Sequence, residues 1–183
     1  SATLYHRDDL PYDKDLRNLP DGFTPFKQKV ENKCSVRDTI AAPKHGDLGA
    51  APSLTVGSGA PSGKGSYDFL PSEQDLGFDE GTFAGAAEGM KRGGVLDFEG
   101  GEAAGRARLQ AWMFDGDNLK DYFTIRNGML GEAYSSKFSP WLACGNLSPR
   151  YIRDECQRYE RVRGISNKST YWLVFELIWR DFF

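Results

Sequence analysis

The chain has 183 residues, a formal net charge of −3 and 39% hydrophobic residues, enough for one ordinary domain, although the large apolar side chains are unevenly spread. No run of 18 apolar residues occurs and no charged-then-apolar leader follows Ser1, so neither a membrane span nor a signal peptide is expected. Cys34, Cys144 and Cys156 lack a C-x-x-C pairing or a neighbouring histidine cluster, which argues against a disulfide framework and a metal site and for a reducing, intracellular compartment.

Charge and glycine divide the chain. Residues 1–101 carry 11 basic and 16 acidic side chains, whereas 102–183 carry 12 and 10. The second part is mildly basic, compatible with an anionic ligand but without the basic stripe that nucleic-acid binding by charge alone requires. Of the 21 glycines, 14 fall between residues 44 and 101, and all four tryptophans lie after residue 110. A loose first part and a packed second part are expected.

From Leu4 to Val36 the chain is punctuated by Pro11, Pro20 and Pro25, with a short helix predicted around Phe26–Asn32 from the i, i+4 pair Phe26 and Val30. Residues 43–66 have the composition of a linker or insertion. Their GSGAPSGKGS stretch looks like a phosphate loop, but Gly65 follows Lys64 and the glycine spacing fails. His6 and His45 have no ligand-like neighbours and read as surface residues.

After Gly100-Gly101, apolar residues recur at helical spacing: Leu109, Trp112 and Met113, then Leu119, Tyr122 and Phe123 with Arg126. Asn127-Gly128 reads as a left-handed stop to the second of these helices. Ser139-Pro140 and Ser148-Pro149 each read as an N-cap followed by a first-turn proline. Helix starts leave backbone N–H groups unpaired and partly positive. With the hydroxyls of Ser135, Ser136 and Ser139 beside Lys137 they would form a seat for a phosphate-bearing ligand. The helix from Ser148 is predicted to end near Gly164, and a last helix to begin around Ser166–Ser169.

That last helix is apolar on nearly every side, which requires burial and suggests that the chain continues past Phe183. Glu176 lies inside it. A carboxylate there needs a partner. Arg180 at i+4 offers a structural ion pair, while Trp179 at i+3 would share its face and make an acceptor-plus-plate site for a flat heterocyclic base. Both readings stay open on spacing alone. Tyr122 and Arg126 form a second i, i+4 pair, readable as packing plus a solvated arginine.

Taken in order, Gly100-Gly101-Glu102, Tyr122-x-x-x-Arg126-Asn127-Gly128, YSSKFSPWLA (134–143), Leu147-Ser148-Pro149-Arg150 and FELIWRDFF (175–183) resemble the photolyase/cryptochrome family, and the second half looks specifically like its cryptochrome DASH branch. Residues 1–37 look like the segment that leaves the antenna domain in that branch. The resemblance implies a mainly α fold. Residues 100–183 would be the first part of the all-helical FAD-binding domain, and residues 1–99 an interdomain connector with the insertion at 43–66.

It further implies that Tyr122, Ser135, Ser136, Lys137, Phe138 and Ser139 hold FAD, the serine run around its pyrophosphate. Glu176 and Trp179 would be the catalytic contacts to a flipped-out cyclobutane pyrimidine dimer, with Arg180 and Phe183 also facing DNA. The implied chemistry is light-driven: reduced FAD passes an electron to the dimer, the ring splits and the electron returns. The branch's preference for single-stranded DNA, a folate antenna such as methenyltetrahydrofolate in the full-length protein and a monomeric state come with the resemblance. Chloroplast, mitochondrion and nucleus stay open. The family's antenna domain and everything past Phe183 are outside this sequence, so the stretch alone is expected to be inactive. A photoreceptor that binds nucleic acid without useful repair, or an inactive partial product, are the alternatives.

Overall fold

The computed structural model describes residues 3–44, 46–47, 72, 74–79, 81–82, 96 and 98–183. The look-alike phosphate loop at 57–66 and His45 lie outside the described residues. The chain divides into two compact units, one of residues 1–40 and 95–183, the other of residues 41–94. Among the described residues of the second unit there is only turn structure, of the kind Ser and Asp side chains make locally: Ser72 donates from its N–H and its hydroxyl to Asp75, at 2.8 and 2.7 Å.

The first unit is helical, with no strand among its described residues. A 3-10 turn, Arg7–Asp9, precedes α1 (Phe23–Lys33), and an irregular stretch follows. Then come α2 (Glu102–Gln110), a π turn over Ala111–Asp115, a 3-10 turn over Asn118–Asp121 and α3 (Tyr122–Ile125). The last three are α4 (Ser139–Ala143), α5 (Pro149–Arg163) and α6 (Lys168–Phe182). None of these helices is long and apolar enough to cross a membrane.

Local chemistry explains most of the boundaries. Helix α5 starts after an extended Ser148 with Pro149 in its first turn and ends at Gly164, left-handed at φ 64°. At α6, Asn167 accepts from the N–H groups of Ser169 and Thr170, and the Thr170 hydroxyl accepts in return from Asn167 N, a reciprocal capping box. Two expectations differ from the structure. At Asn127-Gly128 the backbone is not left-handed; Gly128 N donates to Ile125 O in an ordinary turn. At α4 the cap is Phe138, so Ser139 is the first helical residue and Pro140 the second. Past Gln110 the α2 helix widens into the π turn, closed by Gly116 N to Ala111 O at 2.8 Å, and buries Trp112, Met113 and Phe114 in succession. His6 is half-buried and caps the first 3-10 turn through Nδ1, which accepts from Asp8 N.

Helix α6 is buried on one side through Leu173, Leu177 and Ile178. Its broad aromatic side is covered by α1: Phe23 stacks on Trp179 with centroids 3.7 Å apart and planes 13° from parallel, and meets Phe175 and Phe182 edge-on. The N-terminal segment supplies that cover and inserts Leu4, Phe26 and Val30 into the core.

Gly105 on α2 is a close-approach position. A Cβ there would stand 2.9 Å from Leu147 Cγ and 3.0 Å from Trp141 Cδ1, so the glycine lets α2 rest directly on the indole of α4. We expect Gly105→Ala to destabilise the fold by about 1–3 kcal/mol, the overpacking outweighing alanine's better helix propensity. Chemical denaturation measures this, and an unchanged or higher midpoint would show that α4 can give way.

Candidate functional site

A cavity of about 420 Å³ opens between α3, the loop before α4, α4 and α6, within the size range of small-molecule sites. Its lining includes Tyr122, Ser135, Ser136, Lys137, Phe138 and Ser139, every one of the residues expected to hold the cofactor. From α6 it takes Leu173, Glu176, Leu177 and Arg180, and from α4 Leu142 and Ala143. The apolar liners were not singled out from the sequence. They belong to the helical stripes that face the core, and no separate signal marked them.

Tyr122, buried on the first turn of α3, donates its hydroxyl to Glu176 Oε2 at 2.7 Å. Burial pushes the Glu176 carboxyl above the ordinary carboxylate range, while the Tyr122 hydroxyl and the charge of Arg126 pull it back. The Tyr122 phenol is itself raised, first by burial and then by the neighbouring carboxylate, with Ser135 and Ser136 acting the other way. The i+4 spacing pointed to Arg180 as the partner of Glu176; the structure supplies Tyr122 from another helix. Arg180 donates Nη2 to Leu142 O at 3.2 Å, linking α6 to α4 across the cavity wall.

Trp179 is not brought into the cavity beside Glu176. Its indole turns to α1 and stacks on Phe23, with Phe183 near-parallel at 5.6 Å. Spacing placed the two side chains on one face, but a three-residue step leaves about 60° between them, and α1 claims the difference. Phe183 is 93% exposed, whereas Asp181, in the segment expected to face DNA, turns inward: Oδ1 accepts from Leu4 N at 3.0 Å and Oδ2 from Tyr5 N at 2.8 Å.

The loop of residues 131–138 is held from behind by α2 and the π turn. Arg108 Nη2 donates to the carbonyls of Glu132 and Ser135 at 2.7 and 3.2 Å, and its Nε to that of Ser136 at 3.1 Å. Trp112 Nε1 donates to Ala133 O at 2.7 Å. Lys137 adopts a left-handed conformation, φ 56°, and its ammonium lies 3.8 Å from the centre of the Tyr134 ring. Sequence reasoning missed Arg108 altogether. The only available hint was its i, i+4 spacing from Trp112 on one helix. Arg126 is half-buried, its guanidinium 4.5 Å from the Trp172 ring centre, so it is not a freely solvated side chain.

No protein-family model matches the chain. It is 46% identical over its whole length to a chloroplastic/mitochondrial cryptochrome DASH of Ostreococcus tauri, and 46% identical to a cryptochrome DASH of Synechocystis. A third relative, a cryptochrome DASH of Natronomonas pharaonis, is 44% identical over 99% of the chain. The chain spans about a third of the length of these relatives: 33%, 32% and 33%. The crystal structure of a Synechocystis cryptochrome superposes with a TM-score of 0.77 at 44% identity, over 99% of this chain and 33% of that one. Identity at this level along the whole chain, together with a matching helical fold, makes the chain similar to one third of the length of the cryptochrome DASH proteins.

Proposed function

We propose that this chain is part of an FAD-dependent blue-light protein that repairs cyclobutane pyrimidine dimers, preferentially in single-stranded DNA. The observation that carries the reading is the convergence of Tyr122, Ser135–Ser139 and Glu176 on one cavity. The residues present fit a flavin dinucleotide. Hydroxyls, loop N–H groups and an ammonium suit a diphosphate, while Leu142, Leu173 and Leu177 supply apolar wall for a ring system. Residues 100–183 would then be the first part of the FAD-binding domain, and residues 1–99 the connector to an antenna domain that holds a folate.

When bound, FAD would supply the light-driven electron that opens the cyclobutane ring and would receive it back, so that two carbon–carbon bonds break, the pyrimidine double bonds return and the net reaction is redox-neutral. The chain's own residues bind and orient. Ser135, Ser136, Ser139 and Lys137 hold the diphosphate, and Tyr122 packs beside them and fixes the Glu176 carboxylate through one oxygen. Glu176 would accept a hydrogen bond from the flipped-out base, Trp179 would stack on it, and Arg180 and Phe183 would face the strand. Flipping costs least in single strands, in keeping with that preference. One observation favours the alternative of a nucleic-acid-binding photoreceptor without repair: Trp179 is engaged by Phe23.

The test is expression of the full reading frame, an absorption spectrum, and a dimer-repair assay on single- and double-stranded oligonucleotides under blue light. A yellow protein that clears dimers fastest from single strands is expected. A yellow protein without repair favours the photoreceptor, and a colourless one that refuses added FAD ends both readings. Assay of organelle fractions and size-exclusion chromatography would test the compartment and the monomeric state.

A further inference from the structure

The loop that lines the cavity is not shaped by its own sequence. Residues 132–136 present four successive or near-successive carbonyls to α2 and the π turn, those of Glu132, Ser135 and Ser136 to Arg108 and that of Ala133 to the Trp112 indole. No cis peptide bond interrupts the described chain, and in a trans peptide the N–H points opposite to the carbonyl it is bonded through. Turning those carbonyls backward therefore turns the N–H groups of Ala133, Ser136 and Lys137 away from Arg108. Ser136 and Lys137 line the cavity.

We propose that Arg108 is a positioning residue for flavin binding: by gripping three carbonyls of the 132–136 loop it aims the loop's N–H donors at the ligand's diphosphate. The assignment rests on the flavin reading of the cavity. Arg108 never touches the ligand. The guanidinium suits this task because its planar fork carries several donors in fixed directions, so one side chain sets the orientation of several peptide planes at once. Charge-assisted bonds hold them more firmly than neutral ones would. The guanidinium is half-buried, which lowers its pKa, and Nε and Nη2 both donate to the loop. A lysine at this position has three donors, but on a single rotatable nitrogen, and lacks the fixed fork that sets these carbonyl directions.

The experiment uses the full-length protein with Arg108→Gln and Arg108→Lys. FAD affinity is measured by fluorescence titration of the apoprotein, and the bound diphosphate is observed by 31P NMR. The expected result is a Kd raised on the order of ten- to a hundredfold for Arg108→Gln and less for Arg108→Lys. The two phosphorus resonances of bound FAD should move, while the visible bands of the isoalloxazine stay where they are. A merely structural arginine would lower the melting temperature of the apoprotein and leave the Kd and the phosphorus resonances unchanged, and that outcome overturns the assignment. Should Arg108→Gln fail to fold, the Kd and 31P spectrum of Arg108→Lys decide by the same criterion. If the parent itself takes up no FAD, the reading of the cavity fails and the role of Arg108 goes with it. An intact parent affinity beside an unchanged Arg108→Lys removes only the latter.

Discussion

Glu176→Gln is expected to reduce dimer repair on the order of ten- to a hundredfold while leaving the protein yellow, and to make it more stable at neutral pH. The first effect follows from replacing an ionised acceptor, whose hydrogen bonds are each worth about 1.5–3 kcal/mol, with a neutral one. The second follows from burial, which holds the carboxyl above the ordinary carboxylate range despite the Tyr122 hydroxyl and the charge of Arg126. A raised folded-state pKa means that the carboxyl takes up its proton more readily in the folded protein than in the unfolded chain. Its stabilising contribution is complete below the unfolded value of about 4.3 and is lost as pH rises through the folded value. Glutamine keeps an acceptor for Tyr122 but carries no proton to lose. The variant should therefore melt above the parent at pH 7, with the gap closing as pH falls towards the ordinary carboxylate range. Parallel melting temperatures across that interval would disprove the burial argument, and undiminished repair would remove Glu176 from the mechanism. A residue that costs stability and serves activity is what a functional site in a core-facing helix should contain.

Asp181→Ala should destabilise the fold strongly, by about 2–5 kcal/mol in urea or thermal unfolding, the cost of two unmet amide donors. Its two oxygens accept the N–H groups of Leu4 and Tyr5, and Arg150 Nε donates to Leu4 O at 3.1 Å, so the N-terminal segment is clamped between α5 and α6. Arg150 is buried, with Nη2 lacking a hydrogen-bond partner; burial raises the Asp181 carboxyl above its ordinary range, while the Tyr5 and Leu4 N–H groups and then the charges of Arg180 and Arg150 pull it back. Truncation leaves the two amide donors unmet. Asp181→Asn should recover only part of the loss, because its amide group presents a donor to one of the two N–H groups. Equal stability of Asp181→Ala and the parent would show that the clamp contributes nothing. Partial protease digestion should release the first segment early in both variants, since α1 and its cover over Trp179 hang from the same clamp.

The legible parts of this protein are those written in neighbouring residues. Ser148-Pro149 and Gly164 bound α5, and the polar start of α6 falls where Asn167 and Thr170 cap each other. The Ser135–Ser139 run was singled out from its hydroxyls and helix start and Tyr122 through the family resemblance, and they meet in one cavity. The local pattern misled within a turn and, elsewhere, where a tertiary partner intervened. Asn127-Gly128 could have been a left-handed cap but turns without one, and Trp179 could have stood beside Glu176 but was taken by Phe23.

Local composition and spacing determined by themselves that the second half is helical, where its main helices begin and end, and which polar residues stand out from an apolar background. Only the tertiary structure decided which partners those residues receive. The Tyr122–Glu176 bond joins residues 54 apart, the grip of Arg108 on its loop spans 24 to 28 residues, and Asp181 reaches back 177 residues to Leu4. Helix periodicity states which face a residue occupies, whereas a backbone carbonyl or N–H looks the same in every residue type but proline. A partner of that kind leaves no mark on the sequence until packing brings it within reach.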